Sequence, residues 1–190
     1  MMDRKEYKLL VEGWRGFLNE NSGERPVPSS EEELLSLAMT SQLQNGPMGL
    51  HVTFGVAEGG KPFWSNKLTC SELKGGEVSG LKGKLVKSQF GYVGIDLSPD
   101  SVKKLKEAYN DHLPEDCKQD VSDTGLKYDL PHHVTFGMGS LSKLSLKDES
   151  GKKIKYDLSS FDGKEFTFSA EGFCCEKVEG VNICAVKIKV

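Results

Sequence analysis

The five residues His51-Val52-Thr53-Phe54-Gly55 recur unchanged as His133-Val134-Thr135-Phe136-Gly137, 82 positions further along a chain of 190 residues. A repeat this short and this widely spaced is not the unit of a solenoid, whose period is about 20–50 residues. It marks two equivalent places in a duplicated architecture. Each copy sits in an alternating apolar–polar pattern, the signature of a half-buried strand. Leu50, Val52, Phe54 and Val56 share one face of the first strand, and Val134, Phe136 and Met138 one face of the second. Those faces are expected to pack on a core. His51 and Thr53 then share the opposite face of one strand, and His133 and Thr135 that of the other, each pair about 6–7 Å apart along its strand. Gly55 and Gly137 remove the next side chain and are expected to leave room beside each pair.

The surrounding pattern mixes helices and strands without a regular alternation. Tyr7, Leu10, Val11, Trp14, Phe17 and Leu18 fall on one helical stripe within residues 3–20. After a proline-containing loop, Ser30 followed by Glu33 forms a capping-box pattern that starts a second helix, ended by Asn45-Gly46-Pro47. Strands are expected over 49–57, as a pair within 78–97, and near 132–139, 164–170 and 181–190. Ser98 and Pro99 open a helix carrying Val102, Leu105 and Tyr109, with serine as the cap and proline in the first turn. Residues 113–130 read as a polar, turn-rich loop with some short helix. The expectation is a single α+β domain over 1–190, built as two lobes with antiparallel sheets.

Composition bounds the partners. The net charge of −3 argues against a broad basic face that grips long nucleic acid. Lys82, Lys84 and Lys87, and Lys103, Lys104 and Lys106, are local clusters in an acidic whole, so a nucleic-acid substrate is expected to be met at one nucleotide or a chain end. No apolar run approaches the about 18 residues that span a bilayer. The first residues carry charges where a signal peptide needs an apolar stretch, and the last lack the cysteine of a prenyl anchor. Five cysteines without CxxC spacing are expected to be free thiols in a reducing compartment. A cytoplasmic monomer without a cofactor is the expectation.

Two imidazoles and two hydroxyls on one cleft suit in-line phosphoryl transfer at a cyclic diester. A neutral histidine takes a proton from attacking water while a protonated one gives a proton to the departing ribose oxygen, since imidazole titrates near working pH. The hydroxyls of Thr53 and Thr135 can donate hydrogen bonds to phosphate oxygens as charge builds there. A metal site made from His51, His112, His132 and His133 is disfavoured, because adjacent His132 and His133 point to opposite faces of a strand and no HxH, HExxH or Cys/His cluster is present. A non-catalytic nucleotide-binding module would not require a proton donor and acceptor pair. A purely structural repeat predicts that the two histidines lie apart.

The paired motifs His51-Val52-Thr53-Phe54 and His133-Val134-Thr135-Phe136 resemble those of the 2H phosphoesterase superfamily, and with their spacing they cover about the middle half of the chain. The helices before the first motif, and the strand pair of residues 80–97 followed by a helix, look most similar to the branch of 2′,3′-cyclic-nucleotide phosphodiesterases, including the domains attached to tRNA-splicing ligases. The resemblance implies a two-lobed α+β fold with both motifs in a central cleft. It implies His51 and His133 as acid and base, Thr53 and Thr135 as phosphate ligands, and no metal. The implied substrate is a 2′,3′-cyclic nucleotide or an RNA terminus, and the implied product a 2′-phosphate. By analogy the second motif supplies the base in hydrolysis, although the residues themselves leave both assignments open. A second activity of the superfamily, cleavage of 2′,5′-linked oligoadenylates, uses the same four residues. Relatives in this branch carry a base-stacking aromatic soon after the first motif, where this chain has Val56 and Ala57. Trp64, Phe63 and Tyr128 are the substitutes within reach. A basic residue commonly precedes the second motif, where this chain has Leu130-Pro131-His132.

Overall fold

The computed structural model describes residues 24–54, 68–118, 132–178 and 180–190. The helix expected over 3–20, Gly55, Val56, and the stacking candidates Phe63, Trp64 and Tyr128 lie outside them. Among the described residues, helix α1 spans Glu31–Leu43 and helix α2 Pro99–Tyr109. Ser30 Oγ accepts the Glu33 amide at 3.1 Å. The Glu33 carboxylate in turn takes the amide and hydroxyl of Ser29. The Ser30 half of the expected capping box is present, while Glu33 reaches back one residue further, to Ser29 instead of the Ser30 amide. Ser98 caps α2 through the Ser101 amide, with Pro99 in its first turn.

Eight strands follow in order: β1 His51–Phe54, β2 Val78–Lys87, β3 Tyr92–Leu97, β4 His133–Met138, β5 Leu144–Lys147, β6 Lys153–Tyr156, β7 Glu165–Val178 and β8 Val181–Lys189. Six of them close a barrel in the order β1-β4-β3-β2-β7-β8, with β8 returning to β1, and every pairing is antiparallel. Strands β5 and β6 form a separate hairpin. The architecture is α+β, as expected. The β5–β6 hairpin was not foreseen, and β7 continues well past residue 170.

Both helices contribute to the main core. Leu34, Leu35 and Ala38 of α1, and Val102, Leu105 and Tyr109 of α2, belong to one buried cluster with Val52, Phe54, Val93, Ile95, Val134 and Phe136. The apolar faces read from the two repeats are therefore core, and α1 fastens both motif strands to it. The Leu50 amide lies 3.3 Å from Met39 Sδ, and Gln42 Nε2 donates to the Phe136 carbonyl at 2.7 Å. A smaller cluster of Met48, Leu68, Cys174, Ile183 and Ala185 forms separately. Among the described residues no helix is long and apolar enough to cross a membrane.

Three expectations need correction. Met138 does not face the core but is 69% exposed. Between Val93 and Gly94 the β3–β4 register slips, with Val93 opposite Gly137 and Gly94 opposite Thr135. Phe136 is the extra residue of a bulge, so the alternation shifts by one: Gly137, opposite buried Val93, takes the core side, and Met138, opposite Tyr92, the other. Gly137 does not open space beside the histidine and threonine either, because a Cβ there would lie 3.3 Å from Cδ1 of Leu144, a buried core residue. Finally, four of the five cysteines are not free thiols. Cys70 is bonded to Cys174 and Cys175 to Cys184, while Cys117 is free and buried. Strand pairing sets Cys175 directly opposite Cys184, and the chain between β1 and β2 carries Cys70 to β7; neither approach is visible from spacing along the sequence.

Candidate active site

Strands β1 and β4 lie side by side with Val52 opposite Val134. Carried one residue either way, this antiparallel register sets His51 opposite Thr135 and Thr53 opposite His133, all on the face turned from the valines. The histidines occupy one diagonal of a square and the threonines the other. Directly opposed Cβ atoms in such a pair are about 4.5–5.5 Å apart and diagonal neighbours about 7–8 Å. All four side chains are half-buried.

His51 is held by its own turn. Its Nδ1 lies 2.8 Å from the Gly49 carbonyl oxygen. A carbonyl only accepts, so in the neutral ring Nδ1 carries the hydrogen and Nε2 the lone pair. Gly49 makes this possible with a left-handed φ of +60°, and a Cβ there would overlap Met39 Sδ and sit 3.1 Å from Leu43 Cδ2. Burial pushes the His51 pKa below the ordinary imidazole value; the Gly49 hydrogen bond works the other way, and positive charge on His133 lowers it further. This like-charge repulsion between the rings fits their diagonal placement.

His133 has a different environment. Its ring stacks on Tyr92 with centroids 4.0 Å apart and planes 10° from parallel. The Tyr92 hydroxyl donates to Asp96 Oδ1 at 2.6 Å, and Asp96 stands directly opposite His133 across the β3–β4 ladder. Burial, with that hydrogen bond, pushes the Tyr92 hydroxyl far above the ordinary phenol value, which keeps it a donor. Tyr92 and Asp96 belong to no motif in the sequence. The alternation Tyr92-Val93-Gly94-Ile95-Asp96-Leu97 carries a signal for their shared face, but nothing in it reveals that this face adjoins His133.

Neighbouring strands, not Gly137, keep the square open. Gly94 of β3 lies opposite Thr135 and Ala185 of β8 opposite Thr53, so neither flanking strand sets a long side chain across from a hydroxyl. Lys187 of β8 faces His51 and pairs with Glu171 at 3.5 Å. One strand further on, Cys174 lies opposite Ala185 and bonds to Cys70. Glu176 holds the same loop, accepting from the Thr69 amide at 3.0 Å, its hydroxyl at 2.7 Å and the Cys70 amide at 2.6 Å. The loop that follows residue 67 is thereby fastened beside the site.

The remaining histidines stand apart from the square. His132 is buried with its ring 5.2 Å from that of Phe54, on the core side, and His112 is exposed past the end of α2. Among the described residues, the cluster with metal-like spacing is Cys70, Cys174 and Glu176, and its two sulfurs are bonded to each other.

No protein-family model matches the chain, and no curated protein and no solved structure matches it.

Proposed function

We propose that this protein is a metal-independent phosphodiesterase of the 2H type, which opens 2′,3′-cyclic phosphates of nucleotides or RNA ends to 2′-phosphates. The observation that carries the reading is the β1–β4 register, Val52 opposite Val134, from which the two-by-two array of imidazoles and hydroxyls follows. The arrangement supplies what hydrolysis of a strained cyclic diester needs. One ring removes a proton from water as its oxygen attacks phosphorus. The other protonates the ribose oxygen as its bond to phosphorus breaks. Threonine hydroxyls on the remaining corners donate to the non-bridging oxygens, where negative charge gathers. No step requires a metal.

The two-lobed form of the family belongs to this proposal. It is supported by the thin join between the motif strands, which meet through a single pair, whereas β1 pairs with β8 over the whole of its length and β3 with β4 over most of theirs. In this reading the lobes meet along that seam and substrate enters over it. A cytoplasmic setting is likewise part of the proposal, and it requires that the two disulfides be open or shielded there.

The test is incubation with 2′,3′-cyclic AMP and chromatographic identification of the product. Turnover to 2′-AMP, lost by orders of magnitude in His51→Ala and in His133→Ala and insensitive to EDTA, is the expected result. Turnover by His51→Ala at the parent rate, or none by the parent protein, removes the proposal. Parallel incubation with a 2′,5′-linked oligoadenylate separates the two substrate classes that use this side-chain set.

A further inference from the structure

We propose that Tyr92 and Asp96 are positioning residues that fix His133 as the proton donor of the pair and so leave His51 as the base. The inference rests on the reading above and deepens it, and it reverses the assignment that the family resemblance implies.

The two histidines are equivalent in sequence but not in surroundings. Across the ladders, His133 faces a carboxylate, Asp96, whereas His51 faces a cation, Lys187. The ring of His133 lies flat on Tyr92 at 4.0 Å. An electron-rich ring face attracts an imidazolium more than a neutral imidazole. Asp96 strengthens that attraction, because by accepting the phenol hydrogen at 2.6 Å it pushes electron density into the ring. Stack and carboxylate thus favour the charged form of His133 and fix the plane of its ring. On the other diagonal corner, the Nδ1 hydrogen of His51 is committed to the Gly49 carbonyl, which leaves Nε2 with the lone pair a base needs. Among the described residues, the charged and titratable groups around the pair are Tyr92 and Asp96 on β3, Lys84 opposite Asp96 on β2, His51 on β1, and Lys187 with its partner Glu171 on β8 and β7.

The step balances. The water oxygen bonds to phosphorus while its proton passes to His51 Nε2. The bond from phosphorus to the 3′ oxygen breaks, and that oxygen takes the proton of His133. The product is a 2′-phosphate with a free 3′ hydroxyl, and the resting state returns when His51 releases a proton to solvent and His133 gains one.

Nuclear magnetic resonance of the histidine ring protons in the ligand-free full chain tests the pairing without reference to activity. His133 is expected to titrate at higher pH than His51. Asp96→Asn and Tyr92→Leu should lower the His133 midpoint by about half to one pH unit. Tyr92→Phe, which keeps the stack and loses the hydrogen bond, should lower it less. The alkaline limb of kcat on 2′,3′-cyclic AMP should move down with it, while the acid limb stays within a few tenths. A His51 midpoint above that of His133, or an unmoved His133 midpoint in well-folded Asp96→Asn, overturns the assignment. An alkaline limb that stays fixed while the His133 midpoint moves does the same. Titrations that behave as expected in a chain that never turns over cyclic phosphate refute the proposed reaction and leave the protonation pairing standing.

Discussion

Gly94→Ala tests how closely the motif strand is held. Gly94 lies opposite Thr135 at the β3–β4 bulge, and a Cβ added there would overlap the Val134 carbonyl oxygen, with the Val134 carbonyl carbon at 3.0 Å and Thr135 Cα at 3.1 Å. Comfortable carbon–carbon contacts lie at about 3.5–4.0 Å. Strand β4 must therefore retreat by about 0.5–1 Å, and the obstacle is backbone, which cannot swing aside as a side chain can. Overpacking of this kind costs about 1–3 kcal/mol, and one weakened ladder hydrogen bond adds about 1 kcal/mol. A loss of about 2–4 kcal/mol in urea unfolding is expected. The same retreat pushes Thr135 and His133 from their places, away from β3 and against β1, and a misplacement of about 1 Å in a reacting group can cost about 100-fold in rate. Turnover should thus fall further than stability alone explains. Gly76→Ala is the control, since a Cβ at Gly76 meets nothing within 4 Å. If Gly94→Ala unfolds at the parent urea midpoint with turnover intact, the close approach of β3 to β4 is wrong.

Other expectations follow from the same geometry. Thr53→Val and Thr135→Val should each raise the barrier by about 1–3 kcal/mol, read as a lower kcat/KM on 2′,3′-cyclic AMP, with the fold retained. The lowered pKa of His51 has a stability consequence of definite sign. The unfolded chain binds a proton there below about pH 6.5 before the folded chain does, so stability is complete above that value and falls as pH drops through the folded pKa. Urea midpoints from pH 7 to pH 4.5 should show this fall, and His51→Gln should flatten it; an unchanged slope counts against the buried neutral ring. Cys70→Ser opens a link between residues 104 apart in sequence and should cost about 2–5 kcal/mol by calorimetry. Alkylation of the freshly isolated protein, followed by mass spectrometry, should block Cys70, Cys174, Cys175 and Cys184 if the bonds are open in the cell and leave them unmodified if they are closed.

The sequence by itself determined the local facts. The period-two pattern around each motif put Val52, Phe54, Val134 and Phe136 in the core and the histidines and threonines on the other face, because pleating sends alternate side chains to opposite sides. Ser30 with Glu33, and Ser98 with Pro99, marked two helix starts, since a cap acts within one turn of the chain. Tertiary structure decided whatever depends on which strand lies beside which. It set β1 against β4 in a register that makes one square of the two motifs, and it supplied Tyr92, Asp96 and Lys187 from neighbouring strands. It placed the bulge that exposes Met138 and removed Gly137 from the site, and it joined Cys70 to Cys174. Pairing partners remote in the chain leave no periodic trace in it, because their meeting is fixed by the summed packing of the whole barrel.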